Sequence, residues 1–349
     1  MLATVDDQLR TMFQGKNVLI TGATGTLGEA LALHIQAYAP RIIRLFSRDE
    51  HKQFLLSQKL GNASLFRFLI GDVRDYERLL RATEDVDIVL HTAAMKHVPI
   101  CEYNPFEAIQ TNVMGTQNVI LACIQNKVKK LLVTSSDKAV SPLNTMGATK
   151  LLAERLVTAA AYAKGSAPTV FCSVRFGNVI GSRGSVVHTF LRDLKQHKPL
   201  RVTDPNMTRF MMSVDQAVAL VLKALLLSQG GDVFVLKMPV VRLNDLVRAL
   251  IEQVWITPDE RANAEQAIQI IGVRPGEKTY EDLLSEEEGE NALEWKDMFV
   301  LPPWWHIDHL YPGATKCKDR IYSSKDLEPL DLDALRSLLH QSRVLESCN

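Results

Sequence analysis

Ser135-Ser136-Asp137-Lys138 sets a carboxylic acid beside an amine, behind two hydroxyls, at the end of an apolar run that reads as a strand. Such a pair can give a proton to one atom of a substrate and take one from its neighbour, which is what elimination of water requires. At neutral pH the acid needs a raised pKa and the amine a lowered one, and a closed, dry pocket can supply both shifts. Strand C-termini are where α/β proteins form their sites. The plain alternative is an ordinary surface Asp-Lys pair. A second segment, Met146-Gly147-Ala148-Thr149-Lys150, opens a helical pattern and brings another amine. Met146 itself cannot transfer a proton.

Upstream, Gly22-Ala23-Thr24-Gly25-Thr26-Leu27-Gly28 follows one predicted strand and opens a predicted helix. Glycines there permit a tight turn and close approach of backbone to a pyrophosphate at the helix N-terminus, the arrangement of a dinucleotide site. The next strand is followed by Ser47-Arg48-Asp49. An acidic residue here would suit the ribose diol of NAD, whereas an arginine suits a 2′-phosphate, so NADP is expected, with NAD as the alternative cofactor. Arg48 read blandly is a solvated surface residue. Asp72, before Val73, either accepts from the adenine amino group or caps a helix. Ala93-Ala94, after a fourth strand, leave room for a cofactor. Asn112 falls inside a long helix, where a buried amide needs a partner.

The elements that must position these residues alternate. Asn17–Thr21, 41–46, 65–70, 86–91, Lys130–Thr134 and 169–175 read as strands, apolar enough for a parallel sheet covered on both faces. Helical patterns over 25–37, 49–60, 105–126 and Thr145–Ala163 lie between them. That rhythm implies α/β architecture with a right-handed, doubly wound parallel sheet of Rossmann type. After residue 175 the rhythm breaks. Residues 1–175 are expected to form the dinucleotide-binding domain, rejoined by 213–236. Residues 176–212 and 237–349 are expected to form a smaller mixed α/β substrate lobe at the C-terminal side. The acidic run Glu286-Glu287-Glu288 reads as a solvated turn. Trp304 and Trp305 read as core or interface packing.

Bulk composition is that of a globular protein. Of 349 residues, 46% are hydrophobic and 23% charged, and 40 basic residues balance 40 acidic ones. Net neutrality offers no attraction for nucleic acid or an anionic membrane. Five scattered cysteines without a C-x-x-C pair argue against a disulfide framework or a metal site and for a reducing, cytoplasmic setting. The first sixteen residues lack the apolar core of a signal peptide, and the richest apolar run, 217–227, is too short to span a bilayer.

These motifs together resemble the extended short-chain dehydrogenase/reductase superfamily. More narrowly, they resemble bacterial UDP-N-acetylglucosamine 4,6-dehydratases of polysaccharide and nonulosonic-acid biosynthesis. The resemblance runs nearly end to end. Its most specific blocks are Ser-Ser-Asp-Lys at 135–138, HTAAMKHVPICEYN at 91–104, RFGNVIGSRGSV at 175–186 and GVRPGEK at 272–278. It implies C4 oxidation by a tightly held NADP, loss of water across C5 and C6, and hydride return to C6, giving a UDP-4-keto-6-deoxy-N-acetylhexosamine. Asp137 would be the acid, Lys138 the base at C5, and Ser136 the hydroxyl that bonds the reacting oxygen. Lys150 would hold the nicotinamide ribose. The superfamily usually has tyrosine where this chain has Met146, as some dehydratases of this type do. Lys138, Asp137 or a water on Lys150 must then deprotonate the C4 hydroxyl.

The resemblance also implies that Asn178, Ser185, Val186, Arg209, Arg274 and Glu277 hold the UDP-sugar, and that Lys96 and His97 flank sugar or cofactor. Arginines suit diphosphate oxygens. The stretch 146–154 is closer to relatives that retain the C5 configuration. Other readings are a nucleotide-sugar 4-epimerase and a non-catalytic NADP-binding regulator. A homo-oligomer, dimer or higher, is expected from the apolar faces of 105–126 and Thr145–Ala163.

Overall fold

The computed structural model describes residues 4–61, 64–255, 268–305, 311–318 and 321–345. After a capped N-terminal helix, α1 (Val5–Phe13), the chain alternates strand and helix. The first strands are β1 (Asn17–Thr21), β2 (Ile42–Ser47), β3 (Phe66–Ile70), β4 (Ile88–His91), β5 (Lys130–Thr134) and β6 (Val170–Arg175). Then come β7 (Asn178–Val179), β8 (Leu200–Val202), β9 (Thr208–Met212), β10 (Asp232–Leu236), β11 (Val240–Arg242), β12 (Ile268–Ile270) and β13 (Asp282–Leu284). Four short strands close the series: β14 (Leu293–Glu294), β15 (Met298–Leu301), β16 (Thr315–Lys316) and β17 (Tyr322–Ser323).

The large sheet has ten strands in the order β16-β14-β15-β10-β6-β5-β4-β1-β2-β3. From β3 to β10 every pairing is parallel. The order reverses between β1 and β4, which opens the crevice that binds ligands in doubly wound sheets. Both faces of these strands are covered. Along β1, Val18 and Ile20 pack into one apolar cluster and Leu19 into another on the opposite face, so the strand is buried throughout. The parallel, doubly wound α/β sheet expected from the strand–helix rhythm is therefore present.

The sheet also differs from that expectation. β15 pairs antiparallel with β10, and β14 and β16 continue outward. Residues 237–349 are thus not confined to a separate lobe, because β14, β15 and β16 extend the same sheet. The rest of the C-terminal part contains three small sheets, β11-β9-β7, β12-β8 and β13-β17. Its own apolar core is built from Phe190, Leu194, Leu246, Leu250 and Leu335 among others.

The remaining helices in the first half are α2 (Thr26–Ile35), α3 (Glu50–Lys59), α4 (Tyr76–Ala82), α5 (Val98–Tyr103), α6 (Pro105–Ala108), α7 (Gly115–Gln125) and α8 (Thr145–Ala163). The single helix expected over 105–126 is interrupted between α6 and α7 by a π-helical stretch, Ile109–Met114. Such bulges gather at functional sites, and Asn112 lies in this one. Glu288 corrects the reading of the acidic run as a solvated turn. Glu286 and Glu287 are exposed, but Glu288 pairs with the fully buried Arg175, which also bonds Glu154 at 2.7 Å. A buried guanidinium without partners would be costly, and this pairing ties α8 and the 286–291 helix to the end of β6. Trp305 packs edge-on against Tyr162 at 4.8 Å, while Trp304 is exposed.

Candidate active site

The turn between β1 and α2 is shaped for close backbone approach. Gly22 has φ +67°, and a Cβ there would lie 2.7 Å from the Ala93 nitrogen. A Cβ on Gly28 would lie 2.5 Å from the Gly22 oxygen. Gly25 caps α2 without a side-chain bond, leaving the N–H groups of the first turn free of an internal cap. Those N–H groups and the positive end of the helix dipole suit a diphosphate. The residues present therefore fit a dinucleotide. Thr24, Thr26 and Leu27 line the same turn.

Arg183, which sequence reasoning did not single out, reaches this turn from a loop 154 to 159 residues further along the chain. Its main-chain N–H donates to Thr26 Oγ1 at 3.0 Å, and its guanidinium bonds the Thr24 carbonyl and the Glu29 carboxylate. Lys96 Nζ meets Ser182 Oγ in the same loop at 3.5 Å. His97 is close to Gly184, its Cε1 2.8 Å from where a Cβ would stand. The loop 181–184 thus closes over the residues that follow β1 and β4.

At the end of β2, Ser47 is buried and accepts from Gln53. Arg48 is mostly exposed and lies 3.5 Å from Asp72. Asp72 is not a helix cap, because Asp75 caps α4. Asp72 instead bonds Arg74 and its main-chain N–H. Burial pushes the Asp72 pKa up, but the Arg74 and Arg48 contacts outweigh it and hold the carboxyl below its ordinary value. Val73 is buried against Gly115.

Asn112 finds the partner its burial demanded. Its side chain accepts from the Met95 N–H at 2.8 Å and donates to the Met95 carbonyl at 3.0 Å. It also donates to Thr149 Oγ1 at 3.0 Å. It thereby fixes the segment that contains Ala93 and Ala94 and links it to the residue before Lys150. Lys150 is buried and donates from Nζ to the Thr134 carbonyl at 2.7 Å. Burial lowers its pKa to about 8, against the opposing pull of Glu154. Met146 is buried among Cys101, Ala108, Met95 and Val98, as a packing residue.

Asp137 and Lys138 sit just past β5, in a single 3₁₀ turn. Asp137 is completely buried. Its Oδ1 accepts from Ser136 Oγ at 2.6 Å, from the Lys138 N–H at 2.9 Å and from Lys138 Nζ at 3.0 Å. Its Oδ2 is buried without a hydrogen-bond partner. The pair is not a surface pair. Lys138 Nζ also faces Glu281 Oε1 at 3.3 Å and Asn178 Oδ1 at 3.4 Å. Glu281 was invisible to sequence reasoning and is 2% exposed.

One expectation fails here. The amine was expected to have a lowered pKa. Burial does press it down, but the carboxylates of Asp137 and Glu281 outweigh burial, and the Lys138 pKa is raised. Asp137, and Glu281 when it is ionised, hold the amine as ammonium.

Arg209 stands beside this cluster, its Nε 3.9 Å from Glu281 and its Nη2 3.9 Å from Glu277. It donates to the main-chain oxygens of Thr208 and Lys278. Asn178, Arg209 and Glu277 therefore lie around Lys138 and Glu281. Arg274 is exposed and shares a turn with Glu277. Ser185 begins the helix Val186–Lys195, bonded to His188 at 3.4 Å, and Val186 is partly exposed at its first turn. Among the described residues no group of three or more potential metal ligands occurs, and no helix is long and apolar enough to cross a membrane.

A doubly wound sheet with a glycine turn on one side of the crevice and buried acid–base groups on the other defines a short-chain dehydrogenase/reductase type of site. The chain matches the polysaccharide biosynthesis protein family over residues 18–303 and belongs to it, within the nucleotide-sugar dehydratases and epimerases of that superfamily. It is 46% identical to an uncharacterized membrane protein of Methanocaldococcus jannaschii, over 97% of this chain and 99% of that one. It is 43% identical to a UDP-N-acetylglucosamine 4,6-dehydratase (inverting) of Campylobacter jejuni, over 91% and 95%. A UDP-glucose 4-epimerase of Rickettsia rickettsii is 44% identical over 83% and 84%. The X-ray structure of Pen from Bacillus thuringiensis superposes with a TM-score of 0.88 at 46% identity, covering 95% of this chain and 99% of that one.

Proposed function

We propose that the protein is an NADP-dependent UDP-N-acetylglucosamine 4,6-dehydratase. The observation that carries this reading is the buried Asp137–Lys138 pair, with Asp137 Oδ2 buried and without a hydrogen-bond partner. Epimerisation at C4 needs hydride transfer but no acid for a leaving hydroxyl, whereas elimination needs both an acid and a base.

Bound at the Gly22–Gly28 turn, with Arg48 toward a 2′-phosphate, the nicotinamide cofactor would supply hydride acceptance at C4 and hydride return at C6. The chain's own residues do the proton work. Ser136 bonds the C4 oxygen and Lys150 the nicotinamide ribose. Lys138 is an ammonium at rest, so it must lose a proton before acting as base. Asp137 lies 3.0 Å away to receive it. That one transfer breaks an N–H bond, forms an O–H bond and arms both groups. The amine then takes the C5 proton, and the acid gives its proton to the departing C6 hydroxyl, which leaves as water. Arg209 and Arg274 are read as diphosphate ligands, with Asn178, Ser185, Val186, Glu277, Lys96 and His97 around the sugar and uridine.

At C5 we infer retention, from the 146–154 segment. The Campylobacter relative, named inverting, marks the other outcome. The test is incubation with UDP-N-acetylglucosamine in deuterated water, followed by mass spectrometry and NMR. Loss of one water with a 4-keto-6-deoxy skeleton supports the reading, and the NMR couplings report C5. An isomer of unchanged mass would instead support the 4-epimerase reading, which the Rickettsia relative's name motivates. No reaction would support a non-catalytic NADP-binding protein.

A further inference from the structure

Glu281 is a buried carboxyl that the acid–base pair does not account for. It sits just before β13, and its main-chain N–H is fixed by Ser324 Oγ at 2.9 Å. Its Oε1 faces Lys138 Nζ at 3.3 Å. Its Oε2 is buried with no hydrogen-bond partner. Two buried carboxyls, Asp137 and Glu281, thus share one ammonium, and each has one oxygen without a protein partner.

A fully ionised arrangement is unfavourable there. An unsolvated carboxylate oxygen is costly, and two acids that share a site do not both ionise readily. The charged and titratable groups facing Glu281 are Lys138 and Asp137 from the turn after β5, Arg209 from β9 and Lys278 from its own approach segment. Burial and Asp137 push the Glu281 proton affinity up, and the three cations pull it down, with burial dominant and the pKa raised.

We propose that Glu281 is a positioning residue that works in its neutral form, holding Lys138 through one oxygen while leaving the Lys138 proton free to pass to Asp137. This deepens the reading of Lys138 as base and Asp137 as acid, and rests on it. When Glu281 is protonated, one carboxylate faces the ammonium. The proton then moves from Lys138 Nζ to Asp137, a cation and an anion become two neutral groups, and no other reactant is needed. When Glu281 ionises, a second negative charge pins the ammonium, and the base is lost. Rising pH through the Glu281 pKa should therefore switch the pair off.

The test combines kinetics with a spectroscopic readout. Glu281→Gln keeps the shape but cannot ionise. The alkaline limb of its kcat–pH profile with UDP-N-acetylglucosamine should move up by about one unit, so that turnover on the wild-type limb rises about tenfold relative to wild type. An alkaline limb that does not move, or turnover that collapses at every pH as in Lys138→Ala, would overturn the proposal. Infrared difference spectra of wild type minus Glu281→Gln, both with cofactor bound, give an answer independent of turnover. A carboxylic-acid carbonyl band at neutral pH that disappears on alkaline titration supports neutral Glu281, and a carboxylate band alone overturns it. Should wild type not dehydrate the substrate, the functional reading fails, while the infrared result still decides the state of Glu281.

Discussion

Lys150 and Thr134 are joined across the mouth of the sheet: the Lys150 ammonium in α8 donates to the carbonyl that ends β5, at 2.7 Å. That carbonyl is the lysine's hydrogen-bond acceptor in a site where burial disfavours its charge.

A stability prediction follows from the sign of that shift. The folded pKa is about 8, lowered by burial from 10.5. Between these values the unfolded chain holds more protons than the folded one, so stability attributable to Lys150 rises with pH across this window. Below pH 8 the charged form is held in both states and the burial penalty is fully felt. Denaturant midpoints at pH 8 and 10 should show that wild type gains relative to Lys150→Met as pH rises. Parallel curves would refute it.

The two proton groups should fail differently. Lys138→Ala should abolish exchange of the C5 proton with deuterated solvent while NADP still binds. Asp137→Asn should keep some C4 oxidation but slow water loss. Each loss should be on the order of a hundredfold or more, the scale of a positioned acid or base. Near-normal turnover in Lys138→Ala would overturn the assignment.

Met146 should matter for packing and little for chemistry. Its side chain is buried with Cys101 and Ala108. Met146→Ala should cost about 2–5 kcal/mol of stability, the usual range for a buried methionine, and far less turnover than Lys138→Ala. Thermal unfolding with kinetics at a temperature where the variant remains folded separates the two effects. A kinetic loss as large as that of Lys138→Ala would give Met146 a chemical role.

Arg48 and Arg183 should separate cofactor identity from cofactor retention. Arg48→Ala should weaken NADP far more than NAD, since only NADP offers a 2′-phosphate. Arg183→Ala breaks the guanidinium contacts to Thr24 and Glu29 and should weaken both cofactors alike. Calorimetric titration of each variant with each cofactor checks this. Equal weakening by Arg48→Ala would count against the NADP assignment.

A run of exposed apolar side chains lies along the π stretch and the helices before and after it: Tyr103, Phe106, Ile109, Met114 and Leu121, with Leu152 on α8. Exposed apolar surface of this kind marks interfaces. The protein should be a homo-oligomer, and Phe106→Asp should lower its mass in light scattering. A wild-type mass that stays monomeric at all concentrations would reject the prediction.

The parallel part of the fold was legible because each signal was local. Val18, Leu19 and Ile20 are apolar in succession, as a strand covered on both faces must be, and Asp137 and Lys138 are adjacent in sequence. What was missed is set by tertiary placement. Glu281 stands in a segment with no motif of its own, and only the fold carries it to Lys138. Arg183 lies in a loop whose contacts are to a turn far back in the chain. β15 is four residues long, too short for periodicity to reveal that it would pair with β10. Glu288 looked like one charge in an acidic run because its partner, Arg175, is buried at the end of a distant strand.

The π-helical stretch Ile109–Met114 makes length the constrained property of this helix. A wide turn accommodates an added residue, and an α-helix advances about 100° per residue. Deleting one residue between Ile109 and Met114 would restore regular pitch. The helices on either side would keep their relation, since the wide turn is what absorbs the extra residue; what changes is the bearing of the residues inside the stretch, so that Asn112 loses its bonds to Met95. Substitutions on the outer side of the stretch should therefore be tolerated far better than any single-residue deletion within it.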